Sequence, residues 1–374
     1  MSDWKPQVVK IEKIEKHPYA DNLSIATVLG DYPVIIKTGD FATGDIAGYL
    51  PIDTIVPDTE KFYFLCPKKY EKTIDPAYME VVDKPVGPKY PLGSVPERYR
   101  IIKAKRLRMV YSQGLLVPLH DYFNQFDAVA MEIIQPGYSL VDVIGLKKWE
   151  EDEEENVSVK KTRTNAEKAP SGWAIPHYDI DGVRKYLDAL APDEEIVLTE
   201  KVHGSNAAFC HDGTRLWVKS RNFYKKMDPD DMWWDVALRY DLENKLKAYP
   251  NMVFFGEVYG QVKGFRYDTT VQDKQLLTKV RFFDIFDVKK MRYLDYDDFV
   301  VMVKEAGLDA MPELYRGKWV GKETMYPYAE GLTTLGGKHI REGWVLRTVK
   351  ERYEPRLDSR MQVKLVGEGY NLQK

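Results

Sequence analysis

Apolar residues repeat at two different spacings along this chain, and the change between them predicts where one domain gives way to another. In residues 1–148, β-branched and aromatic residues fall in short runs: QVVKIEKIE, LSIATVLG, PVIIKTG, AGYLPIDTIV, YRIIKAKRLRMVY and QGLLVPL. Turn residues separate them, among them Asp21-Asn22, Gly30-Asp31, Gly39-Asp40 and Gly44-Asp45. Short strands at this density, without a convincing helical repeat, predict a small barrel or sandwich. The Pro- and Tyr-rich stretch 57–98 reads as an ordered excursion from it.

Beyond residue 172 both periods occur. DIDGVRKYLDAL (179–190), DPDDMWWDVALRYDLENKLKAY (228–249) and LDYDDFVVMVKEAGL (294–308) space apolar residues three and four apart, which predicts amphipathic helices. Asp179 is placed to cap the first. Strand-like runs lie between them: EEIVLTEK, NAAFCHD, RLWVKSR, MVFFGEVYG, KVRFFDIFD, EGWVLRT and QVKLVG. The segment 149–172, WEEDEEENVSVKKTRTNAEKAPSG, has blocked charge and few apolar residues, and reads as a linker.

Composition narrows the function classes. A length of 374 residues suggests two or three domains. The net charge of −3 argues against coating nucleic acid by bulk charge, but leaves room for a local basic groove. Residues 99–111 carry cations and no acid, which suits either the nucleic-acid face of an OB-type barrel or a solvated strand face. No apolar run approaches the ~20 residues of a membrane span. The start, MSDWKPQVVKIEKIEKH, has no apolar h-region, so no secretory signal is expected. Cys66 and Cys210 support neither a disulfide framework nor a cysteine zinc site. The expected setting is reducing and cytoplasmic.

Candidate chemistry centres on TEKVHGSNAAF (199–209). Lysine followed three residues later by glycine occurs at 84, 201, 304, 318 and 364, so the spacing alone selects nothing. Only Lys201 follows an acidic strand end and leads into another strand through small polar residues. Downstream come KSRN (219–222), FFGEVYG (254–260), RFFDIFD (281–287), EGWVLR (342–347) and QVKLVG (362–367). Most of the phenylalanines read as core on periodicity. Glu257 and Glu342 do not, because a carboxylate in an apolar strand is costly unless paired or ligating.

In this order the six elements resemble the covalent nucleotidyltransferase superfamily, which includes polynucleotide ligases and mRNA capping enzymes. The EKVHGSN form is similar to the RNA ligase branch. HPYADNLSIATVLG (17–30), GYLPIDTIVP (48–57) and YSQGLLVPL (111–119) resemble the RNA ligases with an N-terminal OB module. Ten residues follow Lys364, so the barrel is expected ahead of the transferase. The implied architecture is α+β in two domains. An OB-like β-barrel spans 1–148, with 57–98 inserted. After the 149–172 linker, 173–374 form an adenylyltransferase with ATP-grasp-like antiparallel sheets and flanking helices.

The resemblance implies ATP-dependent joining of RNA 3′-OH and 5′-phosphate ends through a lysyl-AMP. Lys201 would be the nucleophile. Glu257 and Glu342 would hold Mg2+ or Mn2+, and Lys364 would contact the α-phosphate. Arg221 is implied at the ribose or the 5′-phosphate, Phe283 on the adenine face, and Glu200 at the purine edge. Asn206 is implied at nucleotide or metal-bound water, and Arg347 as a basic cofactor contact. His203 stands where the family often has aspartate, which implies a phosphate or water contact; Gln362 replaces the first of two usual lysines. The implied partners are RNA ends, nicked duplexes among them, with no membrane and a monomeric enzyme. A DNA-nick or other polynucleotide-end transferase and a non-catalytic nucleic-acid-binding protein are the alternatives.

Overall fold

The computed structural model describes residues 4–75, 80–123, 134–149, 165–170, 173, 175–262, 265–267 and 278–373. The chain divides into two compact units, Asp3–Glu151 and Asp152–Lys374, the latter joined by Met1–Ser2. Most of the expected linker, 150–164 and 171–172, lies outside the described residues.

The N-terminal unit is built on β1 (Gln7–Lys16), β2 (Leu23–Val28), β3 (Tyr32–Lys37) and β4 (Ile46–Leu50). The long β1 serves two neighbours: its first half pairs with β4 and its second with β2, with a register shift between Ile11 and Lys13. Strict alternation of buried and half-buried positions in β2 and β3 turns Ala26, Val28, Val34 and Ile36 inward. The 57–98 excursion contains a two-stranded ribbon, β5 (Lys68–Asp75) with β6 (Glu80–Pro88), paired to no other strand among the described residues. A short hairpin follows, β7 (Lys105–Leu107) and β8 (Val110–Ser112). Then β9 (Leu115–Val117) completes an antiparallel sheet in the order β9-β4-β1-β2-β3. Around its far side the sheet curls toward closure, since Gln113 N donates to Pro33 O on β3 (2.7 Å).

The C-terminal unit is built mainly on two large sheets. The larger contains β11 (Ser205–His211), β12 (Leu216–Ser220), β13 (Met252–Tyr259) and β14 (Lys279–Asp287), in the spatial order β12-β11-β13-β14. The second contains β10 (Glu195–Lys201), β15 (Glu313–Lys318), β16 (Gly343–Thr348) and β17 (Gln362–Val366), in the order β17-β16-β10-β15. Helices α1 (Met232–Arg239) and α2 (Tyr296–Glu305) flank the core. Phe209, Phe254, Phe282 and Ile285 pack there with Trp234, Val236, Phe299 and Val303. This is the expected α+β architecture of antiparallel sheets with flanking helices.

The helical pattern overstates two elements. Residues 179–190 form no α-helix: Asp181–Gly182 pairs in parallel with Val363–Lys364 on β17, followed by 3-10 turns at Val183–Lys185 and Leu187–Ala189. Sheet pairing takes the backbone that a helix would need, while Val183, Ala189 and Leu190 still reach the core. Asp179 spends its carboxylate on Arg221 rather than on a full helical cap. The 228–249 helix is interrupted after α1, where Asp241 adopts a left-handed φ of 52° before the short helix Leu242–Leu246. Asp231 does cap α1, accepting from Trp233 N (3.1 Å).

A buried polar cluster ties the two sheets together. Asp284 on β14 is fully buried and accepts from Tyr178 Oη (2.7 Å), Arg347 Nη1 (3.0 Å) and Arg360 Nη1. Arg347 Nη2 also donates to Leu294 O (2.7 Å) and Glu351 Oε2 (3.0 Å), and Arg360 Nε to Glu351 Oε1 (2.7 Å). Gln362 Nε2 donates to Tyr178 Oη (2.8 Å). Burial and the Asp284 carboxylate push the Tyr178 phenol well above its usual range, so it remains a donor. Arg347, expected as a basic cofactor contact, is buried (3% exposed), and its guanidinium links β16 to β14 through Asp284. Replacing Arg347 by leucine leaves Asp284 and Glu351 short of a buried cation. It should lower stability by about 3 kcal/mol or more, measured as the midpoint shift in urea unfolding.

Candidate active site

Lys201 is the last residue of β10, and its antiparallel partner across β16 is Gly343. That register brings Glu342, the residue before β16, against the lysine: Nζ lies 2.5 Å from Glu342 Oε1. Both side chains are mostly sheltered from solvent. On the other side of β16, Lys364 of β17 is paired with Val345. Burial opposes charge on Glu342, but Lys201, His203 and Lys364 outweigh it and hold the carboxyl below its usual range. Lys201, His203 and Lys364 therefore all act on one sheltered carboxylate.

The larger sheet supplies the other side. After Lys201 the chain turns through His203 and Gly204 into β11, where Asn206 is the cross-strand neighbour of Glu257 on β13. Gly204 is required by close approach, since a Cβ there would sit 2.4 Å from Val258 O and 2.8 Å from Glu257 Cγ. Gly343 is required more strongly, because its Cβ would meet Leu365 O at 1.9 Å. The glycines in KVHG and EG thus let the strands carrying the lysine and both acids come together.

Tyrosines frame this turn. Tyr267 Oη accepts the His203 N–H (2.8 Å), and Tyr370 Oη lies 2.5 Å from His203 Nδ1. Burial raises the Tyr267 phenol well above its usual range, and Glu342, Glu200 and Glu257 act in the same direction. Tyr370 belongs to α3 (Glu368–Gln373), whose first turn is held by Glu330: its Oε1 accepts from Glu368 N (2.6 Å) and its Oε2 from Gly369 N (3.3 Å).

The remaining expected residues fall as follows. Arg221 follows β12 and donates to Asp179 Oδ1 (3.2 Å), keeping part of its side chain in solvent. Phe283 on β14 is half-buried; it touches Tyr178 (4.8 Å between centroids) and packs toward Val202 and Tyr267, on the lysine's side. Glu200, expected at a purine edge, is buried and occupied: it accepts from Thr333 Oγ1 (2.5 Å), Thr334 N (2.8 Å) and Thr334 Oγ1 (2.5 Å). His203, expected at phosphate or water, is buried between the two tyrosines. Sequence reasoning missed Tyr178, Tyr267, Thr333, Thr334 and Tyr370. Their only signal would have been polar atoms inside apolar surroundings, and that appears only once the fold is known.

Glu257 and Glu342 suit a hydrated divalent cation. Mg2+ keeps most of its waters and uses one or two carboxylates together with substrate phosphates. Among the described residues no cluster of three or more His, Cys, Asp or Glu is arranged to hold a metal ion. Substituting Gly343 by alanine should lower the thermal midpoint markedly, because a backbone carbonyl has to move. An unchanged midpoint would contradict the close approach described above.

Residues 194–366 match the RNA ligase family model, and residues 6–79 match an OB-fold domain model. No curated protein sequence matches the chain. Among solved structures, an apo variant of the Naegleria gruberi RNA ligase has a TM-score of 0.74 at 20% identity, covering 100% of this chain and 99% of that one. A variant of the same protein with AMP and Mn gives 0.74 at 19% identity, with 99% of each chain covered. Another with ATP and Mn gives 0.73 at 20%, with 98% of each covered.

Proposed function

We infer that this chain, an RNA ligase domain behind an OB-fold domain, is an ATP-dependent RNA ligase joining 3′-OH and 5′-phosphate ends. The observation that carries the reading is Lys201 Nζ held 2.5 Å from Glu342, with the Gly204 turn after the lysine close against Glu257 and Lys364 on the strand paired with β16. In the first step the unprotonated Nζ attacks the α-phosphorus of ATP; a P–N bond forms, the bond to the bridging oxygen breaks, and pyrophosphate leaves. A 5′-phosphate oxygen of RNA then attacks the lysyl-AMP phosphorus and Lys201 departs. Last, the 3′-OH attacks the activated 5′-phosphate and expels AMP.

Each side chain has a part in that sequence. Glu342 orients Nζ, and Lys364 meets the charge that builds on the α-phosphate. A Mg2+ or Mn2+ ion held through water by Glu257 and Glu342 would neutralise phosphate charge and favour the free amine. Phe283 offers a ring face to adenine, and Asn206 a polar contact beside Glu257. Arg221 presents a guanidinium suited to the 5′-phosphate or the ribose. Glu200 and His203 act by fixing the walls around Lys201. The reading includes nicked or broken RNA as substrate, a monomeric enzyme and a cytoplasmic setting.

Incubation with α-labelled ATP and Mg2+ or Mn2+ tests this directly. A covalent AMP adduct should form and map to Lys201, and it should vanish in Lys201→Ala. Glu342→Gln should slow its formation about a hundredfold. If neither ATP nor GTP gives an adduct, the reading is wrong; sealing of DNA nicks in preference to RNA would change the substrate.

A further inference from the structure

We propose that α3, the short helix that follows β17, aligns the Lys201–Glu342 pair, and that Tyr370 is the positioning residue through which it does so. The proposal rests on the RNA ligase reading and deepens it, by giving Tyr370 an action on the nucleophile that runs through His203. Gly367, between β17 and α3, donates its N–H to Glu342 O (2.9 Å). Tyr370 Oη lies 2.5 Å from His203 Nδ1, with the two rings 5.8 Å apart. The first bond holds the backbone of the acid that Lys201 Nζ meets at 2.5 Å; the second holds the side chain that follows the lysine in KVHG. Both partners of the ion pair are therefore tied to one element.

Docking of α3 does not depend on the tyrosine's hydroxyl. A helix of six residues is too short to hold itself in water. Its first turn is instead clamped by Glu330, and close approach presses it against Ala329 and Glu330. A Cβ on Gly367 would lie 2.9 Å from Ala329 O, and one on Gly369 2.8 Å from Glu330 Oε2. Phenylalanine at 370 would fill nearly the same space, so the hydroxyl serves the imidazole rather than the packing. Bulk water does not compete for that bond, because Tyr370 is 4% and His203 6% exposed.

His203 is thus fixed twice. Tyr267 Oη accepts its N–H (2.8 Å), which sets the backbone, and Tyr370 engages one ring nitrogen, which sets the ring. A turn held at both points leaves Lys201 little freedom to swing off Glu342. Small misplacement of a nucleophile is costly, since the rate depends on near-attack geometry. The signature of such a role is a slower chemical step with unchanged ATP affinity, because Tyr370 orients the amine and does not bind the substrate.

The test uses the full chain and α-labelled ATP with Mg2+, reading single-turnover formation of the lysyl-AMP across an ATP series. Tyr370→Phe should slow the step at saturating ATP about tenfold, the worth of one hydrogen bond, and leave the half-saturating ATP concentration unchanged. Its thermal midpoint should stay within about 3 °C of that of the unsubstituted protein. In a His203→Ala background the same substitution should cost nothing further, as expected of residues that act as a unit. Equal slowing in both backgrounds would overturn the proposal. So would a rate loss that comes only with a large fall in midpoint, or weaker ATP binding with the maximal rate intact. If the unsubstituted protein forms no adduct, the ligase reading fails and takes this inference with it. If Tyr370→Phe forms the adduct as fast as the unsubstituted protein, only the positioning role fails.

Discussion

The buried carboxylate of Asp284 is the constraint on which the C-terminal unit depends. It belongs to β14 of the larger sheet, and two guanidiniums that reach it, from Arg347 and Arg360, come from β16 and the approach to β17 in the other sheet. A buried acid of this kind is costly alone, so the two sheets are stable only in the arrangement that brings both arginines and Tyr178 to it. The candidate site divides along the same line. Lys201, Glu342 and Lys364 sit on the smaller sheet, and Asn206, Glu257 and Phe283 on the larger. The charge cluster therefore fixes the arrangement of the sheets that carry the candidate site.

Within that frame, close packing brings the candidate groups together. The missing side chain at Gly343 lets β17 approach β16, which carries Lys364 toward Glu342; the one at Gly204 lets the lysine's turn lie on Glu257. Electrostatics then works on what sterics has allowed. Cations outweigh the burial cost at Glu342, keeping a carboxylate charged where an isolated one would take up a proton. A charged, sheltered carboxylate beside a lysine is what both orientation of the amine and attraction of a divalent cation require.

Legibility in the sequence followed the same physics. Glu257 and Glu342 stood out because an acid interrupting an apolar strand demands a partner, and Lys201 because ordered motifs follow it. Each of these signals is local. The strands were legible for a related reason, since alternation such as that of Leu23–Val28 is imposed by the sheet itself. The protein partners of Arg347 and Glu200 were not legible, because an arginine or glutamate in a motif looks the same whether it faces a ligand or a buried partner; only the fold reveals Asp284, Thr333 and Thr334 beside them. The helical spacing at 179–190 was real, but pairing of Gly182 with Lys364 overrode it. His203 and Tyr370 are 167 positions apart in the chain, a separation across which no pattern of spacing operates.

The central claim is that one lysine and two acids from different sheets form a single nucleotide-transfer site. Crystals of the protein grown with ATP and MnCl2, measured at the manganese absorption edge, test it most directly. The account predicts AMP bonded to Lys201 Nζ and an anomalous manganese peak within one water of both Glu257 and Glu342. Adenylate attached to another residue, or manganese lying away from both carboxylates, would contradict it.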